Sequence, residues 1–242
     1  MRRFFLAATL RRRPIVCVTI IIVTALVVGV GLVYIANREE LYDRGFDSRV
    51  AEPAYRADRP RVLFDEAHRN HHTAGGRYKP FAELIGNDGY DVQPNRHAFS
   101  GDRLAGVSVL AVVCAKGGGD AGDDPAFTDA EAAGVDEWVR SGGSLLLITD
   151  HFPFAAAAAP LSRRFGVETA SGMVEDPNHH QPGLGESHLV FSRANGLLAD
   201  HPVTRGRTAA ERVERVLTFT GHSMRGPADA AALLSLSDTA VD

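Results

Sequence analysis

The stretch from Thr128-Asp-Ala-Glu131 through Val135, Trp138, Val139 and Gly142-Gly143 to Ser144-Leu-Leu-Leu-Ile-Thr149 decides the fold. Thr128 and Glu131 form a capping box, in which the hydroxyl takes one orphan N–H and the carboxylate reaches back for another. Val135, Trp138 and Val139 make one apolar stripe, and the paired glycines close the helix. The run Ser144 to Thr149 then reads as a buried strand. A helix followed at once by an apolar strand is the second half of a βαβ unit.

The same alternation extends upstream. Arg61-Val-Leu-Phe-Asp65 reads as a first strand. Tyr78, Phe81, Leu84 and Ile85 have helical spacing within Gly76 to Gly89. Tyr90 to Val92 reads as a short second strand, Asp102 to Leu104 as a helical turn, and Val107 to Cys114 as a fully buried strand. Downstream, Phe154 to Phe165 reads as a helix that Pro160 kinks or divides. Gly166 to Thr169, Ser187 to Phe191, Arg215 to Phe219 and Ala231 to Leu236 read as further strands, with a His-, Pro- and Gly-rich loop at Asp176 to Glu186. Right-handed crossovers place helices on both faces of a mainly parallel sheet. The expected fold is therefore α/β: a flavodoxin-like three-layer domain over residues 61–242, preceded by one N-terminal transmembrane helix.

That helix is expected at residues 15–36, which carry no charged side chain. It would be about 33 Å long, matching a hydrocarbon core of roughly 30 Å. Arg2, Arg3, Arg11, Arg12 and Arg13 precede it, and no acid appears before Glu39. The positive-inside rule puts residues 1–14 in the cytoplasm and the rest outside, with 37–60 as a juxtamembrane linker. A cleaved signal peptide has a shorter apolar region and a small-residue cleavage site, which Tyr34-Ile35-Ala36 does not supply. The expected location is thus the cell membrane, single-pass, with the lipid bilayer as a partner.

Composition excludes some functions. The chain of 242 residues carries a formal charge of −4, which becomes −9 without the five N-terminal arginines. An acidic domain with no aromatic-interleaved basic stretch is not a nucleic-acid binder. Two cysteines, Cys17 in the apolar run and Cys114 in a strand, make neither a disulfide framework nor a zinc motif. Asp65-Glu-Ala-His68 spells a helicase box, yet Gly117 to Gly122 lacks the Lys-Ser/Thr that an ATPase loop requires. Ser162, Ser171 and Ser187 lack the elbow of a serine hydrolase, and Cys114 lacks the corresponding cysteine elbow. Asp120, Asp123 and Asp124 do not follow the calcium-loop pattern.

Ligands of such sheets bind outside the carboxyl ends of the strands. There the sequence puts Asp65, Glu66, His68, His71 and His72 after the first strand, Lys116 after the third, and Asp150 and His151 after the fourth. Asp65, Glu66, His68, His71, Lys116, Asp150 and His151 are the expected ligand-binding residues. If a metal were bound, zinc or manganese on Asp65, His68, His71, Asp150 and His151 could activate a water, with Asp176, His179 and His180 as further donors. A metal-dependent hydrolase is the alternative to a non-catalytic binding domain.

Three segments carry a family resemblance: Val62 to Thr73 leading to Arg77-Tyr78, Phe127 to Gly143, and Ser144 to Phe154. They resemble membrane-anchored bacterial proteins in the class I glutamine amidotransferase-like superfamily, near the GldG/intraflagellar-transport (GIFT) group. The resemblance implies a flavodoxin-like fold and a role in binding ligands or partners, in some members beside a transporter or membrane complex. True amidotransferases carry a Cys on a nucleophile elbow with a His and a Glu, which this chain lacks. Domains of that kind also continue past a strand such as Ala231 to Leu236, so a C-terminal truncation is expected.

Overall fold

The computed structural model describes residues 42–119 and 124–242, together with Thr24, Val28 and Gly29, which are helical. The expected membrane span at 15–36 otherwise lies outside the described residues. Among those described, no helix is long and apolar enough to cross a membrane. Phe46 to Asp242 form one compact unit.

Within that unit the chain alternates as its apolar periodicity dictates. β1 (Arg61–Asp65) leads to α1 (Lys79–Asn87), then β2 (Asp91–Asn95), the single turn α2 (Gly101–Leu104), β3 (Val109–Val113), α3 (Asp129–Arg140), β4 (Ser144–Ile148) and α4 (Phe154–Ser162). The four strands form one parallel sheet in the order β2-β1-β3-β4. Successive side chains on a strand point to opposite faces. Leu63, Leu110 and Val112 therefore pack with Leu104, Val135 and Leu161 on one side. Val62, Phe64, Ala111 and Val113 pack with Phe81 and Ile85 of α1 on the other. The result is three layers with helices on both faces.

The capping box forms as its spacing requires. Glu131 N–H donates to Thr128 Oγ1 at 3.2 Å, and Thr128 N–H donates to Glu131 Oε2 at 3.0 Å. Such a cap is worth about 1 kcal/mol. Gly143 sits against the Trp138 ring so closely that a Cβ there would lie 2.2 Å from it.

Several expectations need correction. β4 is not fully buried: it is an edge strand, and Leu146 keeps 36% of its surface. β2 runs on through Pro94 to Asn95. An edge strand tolerates the missing N–H of proline. α4 passes Pro160 and reaches Ser162 before tightening into a 3₁₀ turn at Arg163–Phe165, which Gly166 closes at φ 69°.

The C-terminal strands do not join the parallel sheet. β5 (Glu168–Thr169) pairs antiparallel with β8 (Met224–Arg225), and β6 (Val190–Ser192) with β7 (Arg215–Leu217). Ala231 to Leu236 is not a strand, because only Leu234 pairs, through an isolated bridge to Leu198. This region has its own small core of Val174, Leu189, Phe191 and Leu198. Its polar hub is Asp176, 2% exposed, which accepts from the N–H groups of Asn178 and His179 and from the hydroxyls of Ser237 and Thr239.

Candidate functional site

Because β1, β3 and β4 are adjacent and parallel, the segments that follow them leave along one edge of the sheet. The best-defined constellation there is buried. His68 Nδ1 lies 2.9 Å from both Asp65 oxygens, and His68 Nε2 lies 2.9 Å from Glu131 Oε1. Asp65 is fully buried, and His68 and Glu131 are each 9% exposed. Phe99 and Phe127 flank the imidazole, with ring centroids 4.6 and 4.7 Å away.

Carboxylates only accept, so both ring nitrogens must donate, and His68 is an imidazolium. Burial works against that charge, but Asp65 and Glu131 outweigh it and raise the His68 pKa. Glu131 responds in the opposite sense. Burial would raise its pKa, yet bonds from His68, Thr128 and the Phe99 N–H hold it down at about 2. An imidazolium with both N–H groups spent has no lone pair for a metal or for a proton. Asp65 is spent too, accepting further bonds from the Ala67 N–H at 3.2 Å and Asn70 Nδ2 at 3.0 Å.

The remaining expected residues form an outer, half-buried rim. Asp150 Oδ1 accepts from the His151 N–H at 2.7 Å and faces His151 Nδ1 at 2.8 Å. Thr220, from the C-terminal region, donates its hydroxyl to Asp150, 3.2 Å from each oxygen. Beside it, Thr149 Oγ1 and His222 Nε2 are 2.6 Å apart. His71 donates its backbone N–H to the Cys114 carbonyl and packs its ring on Phe154. His72 stacks on Tyr78. Burial, then the charges of His71 and Arg77, push the His72 pKa down to about 4, so it is neutral at pH 7. The Lys116 backbone N–H donates to the His68 carbonyl. Glu66 turns away from this rim and pairs with Arg96 Nε at 3.2 Å. In the C-terminal region, His179 Nδ1 faces the Asp176 side chain and His180 Nδ1 faces the Asp176 backbone carbonyl.

Among the described residues, three that are not glycine adopt left-handed backbone conformations: Arg69 at φ 51°, Cys114 at 46° and Thr220 at 56°. Arg69 and Cys114 follow β1 and β3, and Thr220 touches Asp150 after β4. Strain of this sort persists only where surrounding bonds over-determine it. Cys114 is 3% exposed, and burial together with the nearby Asp150 charge pushes its thiol up to about 12. It is thus expected to resist iodoacetamide at pH 8 in the folded protein and to be modified after unfolding in urea. Peptide mass spectrometry at Cys114 checks this, and rapid modification of the native protein would contradict it.

Among the described residues, no group of three or more His, Cys, Asp or Glu side chains is arranged to hold a metal ion. Sequence reading did not find Glu131 as a partner of His68, nor Asn70, Thr220 or His222. Only Glu131 carried a signal, and its capping box explained it without the histidine.

The fold is similar to that of the mmIFT52 N-terminal domain. The two match with a TM-score of 0.59 and 16% sequence identity, over 74% of each chain. At this identity the likeness is one of fold, and it agrees loosely with the resemblance to the GIFT group. No family model and no curated protein matches the sequence.

Proposed function

We propose that the chain is a non-catalytic binding domain for a ligand or partner, carried outside the cytoplasm by a membrane anchor at residues 15–36. The observation that carries the non-catalytic reading is the closed Asp65–His68–Glu131 constellation. Its acids and imidazole satisfy one another and leave no free base, nucleophile or metal ligand. The protonated thiol of Cys114 supports the same reading. The strand order supports a flavodoxin-like sheet, where ligands sit at the carboxyl edge. His71, Lys116, Asp150 and His151 would form the accessible part of such a rim, with Thr220 and His222 closing it. The resemblance of the three sequence segments to the GIFT group supports a ligand or partner rather than a substrate.

Elemental analysis of the full chain, purified in detergent without a histidine tag, tests this reading. The expected result is no stoichiometric zinc or manganese. A stoichiometric metal that disappears in Asp150→Ala would replace the binding domain with a metal-dependent hydrolase. Orientation is checked by fusing alkaline phosphatase after Asp242: an inactive fusion beside an active cytoplasmic reporter at the same position rejects the extracytoplasmic placement.

A further inference from the structure

The α2 turn is four residues long, so it leaves part of the β1–β2 face without a covering helix. Parallel register sets Arg61 beside Asp91 and Leu63 beside Gln93 on that face. The uncovered strip is a groove of about 370 Å³, lined by Arg61, Leu63, Gln93, Pro94, Asn95, Arg96, His97, Asp102 and Arg103. Its lining includes none of Lys116, Asp150 or His151, so it is separate from the rim described above.

The groove gathers three guanidinium groups in a domain that is acidic overall. Asp102 is the one carboxylate in its lining. Glu66 pairs with Arg96, and Asp91 holds Gln93 through a bond of 2.6 Å. Arg96 spends its Nε on Glu66, while Arg61 and Arg103 form no ion pair among the described residues. Arg61 donates one Nη2 bond to the Ala105 carbonyl at 2.6 Å, while its buried Nε has no hydrogen-bond partner. Arg103 uses its backbone N–H for the Ser100 cap and forms no side-chain bond with the described residues. A planar guanidinium presents paired donors that match the oxygens of phosphates and carboxylates. The groove's volume falls within the range of small-molecule sites.

We infer that this groove binds a small polyanion whose charge lies on oxyanion groups, an organic phosphate or a polycarboxylate, with Arg61, Arg96 and Arg103 as its cationic contacts. The inference goes beyond the proposed function, because a rim ligand and a groove ligand occupy different sites.

Calorimetric titration of the full chain in detergent, at fixed ionic strength, tests it with inorganic pyrophosphate and with citrate. Saturable one-to-one binding of at least one probe is expected. Loss of one charged contact in Arg103→Gln is expected to weaken it about tenfold. Arg163→Gln, an exposed arginine outside the groove, serves as the charge control and is expected to bind as the wild type does. Preference for pyrophosphate identifies a phosphate ligand; equal or better binding of citrate identifies a polycarboxylate. Absence of saturable binding by both probes overturns the inference, and so does equal weakening by Arg163→Gln and Arg103→Gln.

Discussion

Replacing His68 with alanine is expected to lower the unfolding free energy by about 3–5 kcal/mol, the usual result of removing one partner from a buried ionic set. Asp65 would stay fully buried beside an empty space, and Glu131 would lose the bond from His68 Nε2. Urea denaturation followed by circular dichroism measures the change. Glu131→Gln is expected to cost less, since the amide still accepts from the Phe99 N–H. The double variant should be less destabilised than the sum of the two, because the replacements share one interaction. A loss below about 1 kcal/mol for His68→Ala, the scale of an exposed pair, would mean that the imidazolium is not held as described.

The pH dependence follows from the two shifts. The His68 pKa is raised, so its contribution is complete below the unfolded value of 6.5 and fades as pH climbs through the folded one. Glu131 is depressed to about 2, so its contribution is complete above 4.5 and fades as pH falls toward 2. Wild-type stability should therefore decline on both sides. The alkaline decline that begins above pH 6.5 should shrink in the His68→Ala protein.

The second large effect is expected at Asp176. Alanine there removes the buried acceptor shared by the part-buried donors of Asn178, His179, Ser237 and Thr239, and the expected cost is on the order of 3 kcal/mol. The damage should be regional. Asp176 ties the loop after Val174 to the chain end, where Glu175 and Val241 exchange backbone bonds. Hydrogen exchange should accelerate across residues 174–181 and 235–242 while β1, β3 and β4 keep their protection. Uniform loss of protection through the parallel sheet would refute this division. Burial alone would raise the Asp176 pKa, but the bonds led by Ser237 hold it far below the usual carboxylate range. Its contribution is therefore complete above the unfolded value of 3.8 and lost progressively in stronger acid.

The parallel half of the fold was legible because its signals are local. Apolar runs of three to five residues mark β1, β3 and β4, and the Thr128–Glu131 spacing marks the start of α3. Burial of β4 was misjudged because an apolar strand reads the same whether or not a neighbour lies beyond it. The C-terminal strands are two or three residues long, too short to show a period. The site was legible only as a list of strand-end residues. Which of them are spent depends on contacts that cross the sequence, such as Glu131 reaching His68 and Thr220 reaching Asp150. Neither spacing nor composition encodes those distances.

The charged clasp between β1 and α3 has a thermodynamic corollary for recognition at the sheet's carboxyl edge. Fixing a backbone residue costs about 1–2 kcal/mol in conformational entropy. The turn from Glu66 to Asn70 is already immobilised by Asp65, Glu131 and the Val113 carbonyl before any visitor arrives. An incoming molecule then retains more of its contact energy as affinity, and it meets a rigid template with no folding step of its own to trigger.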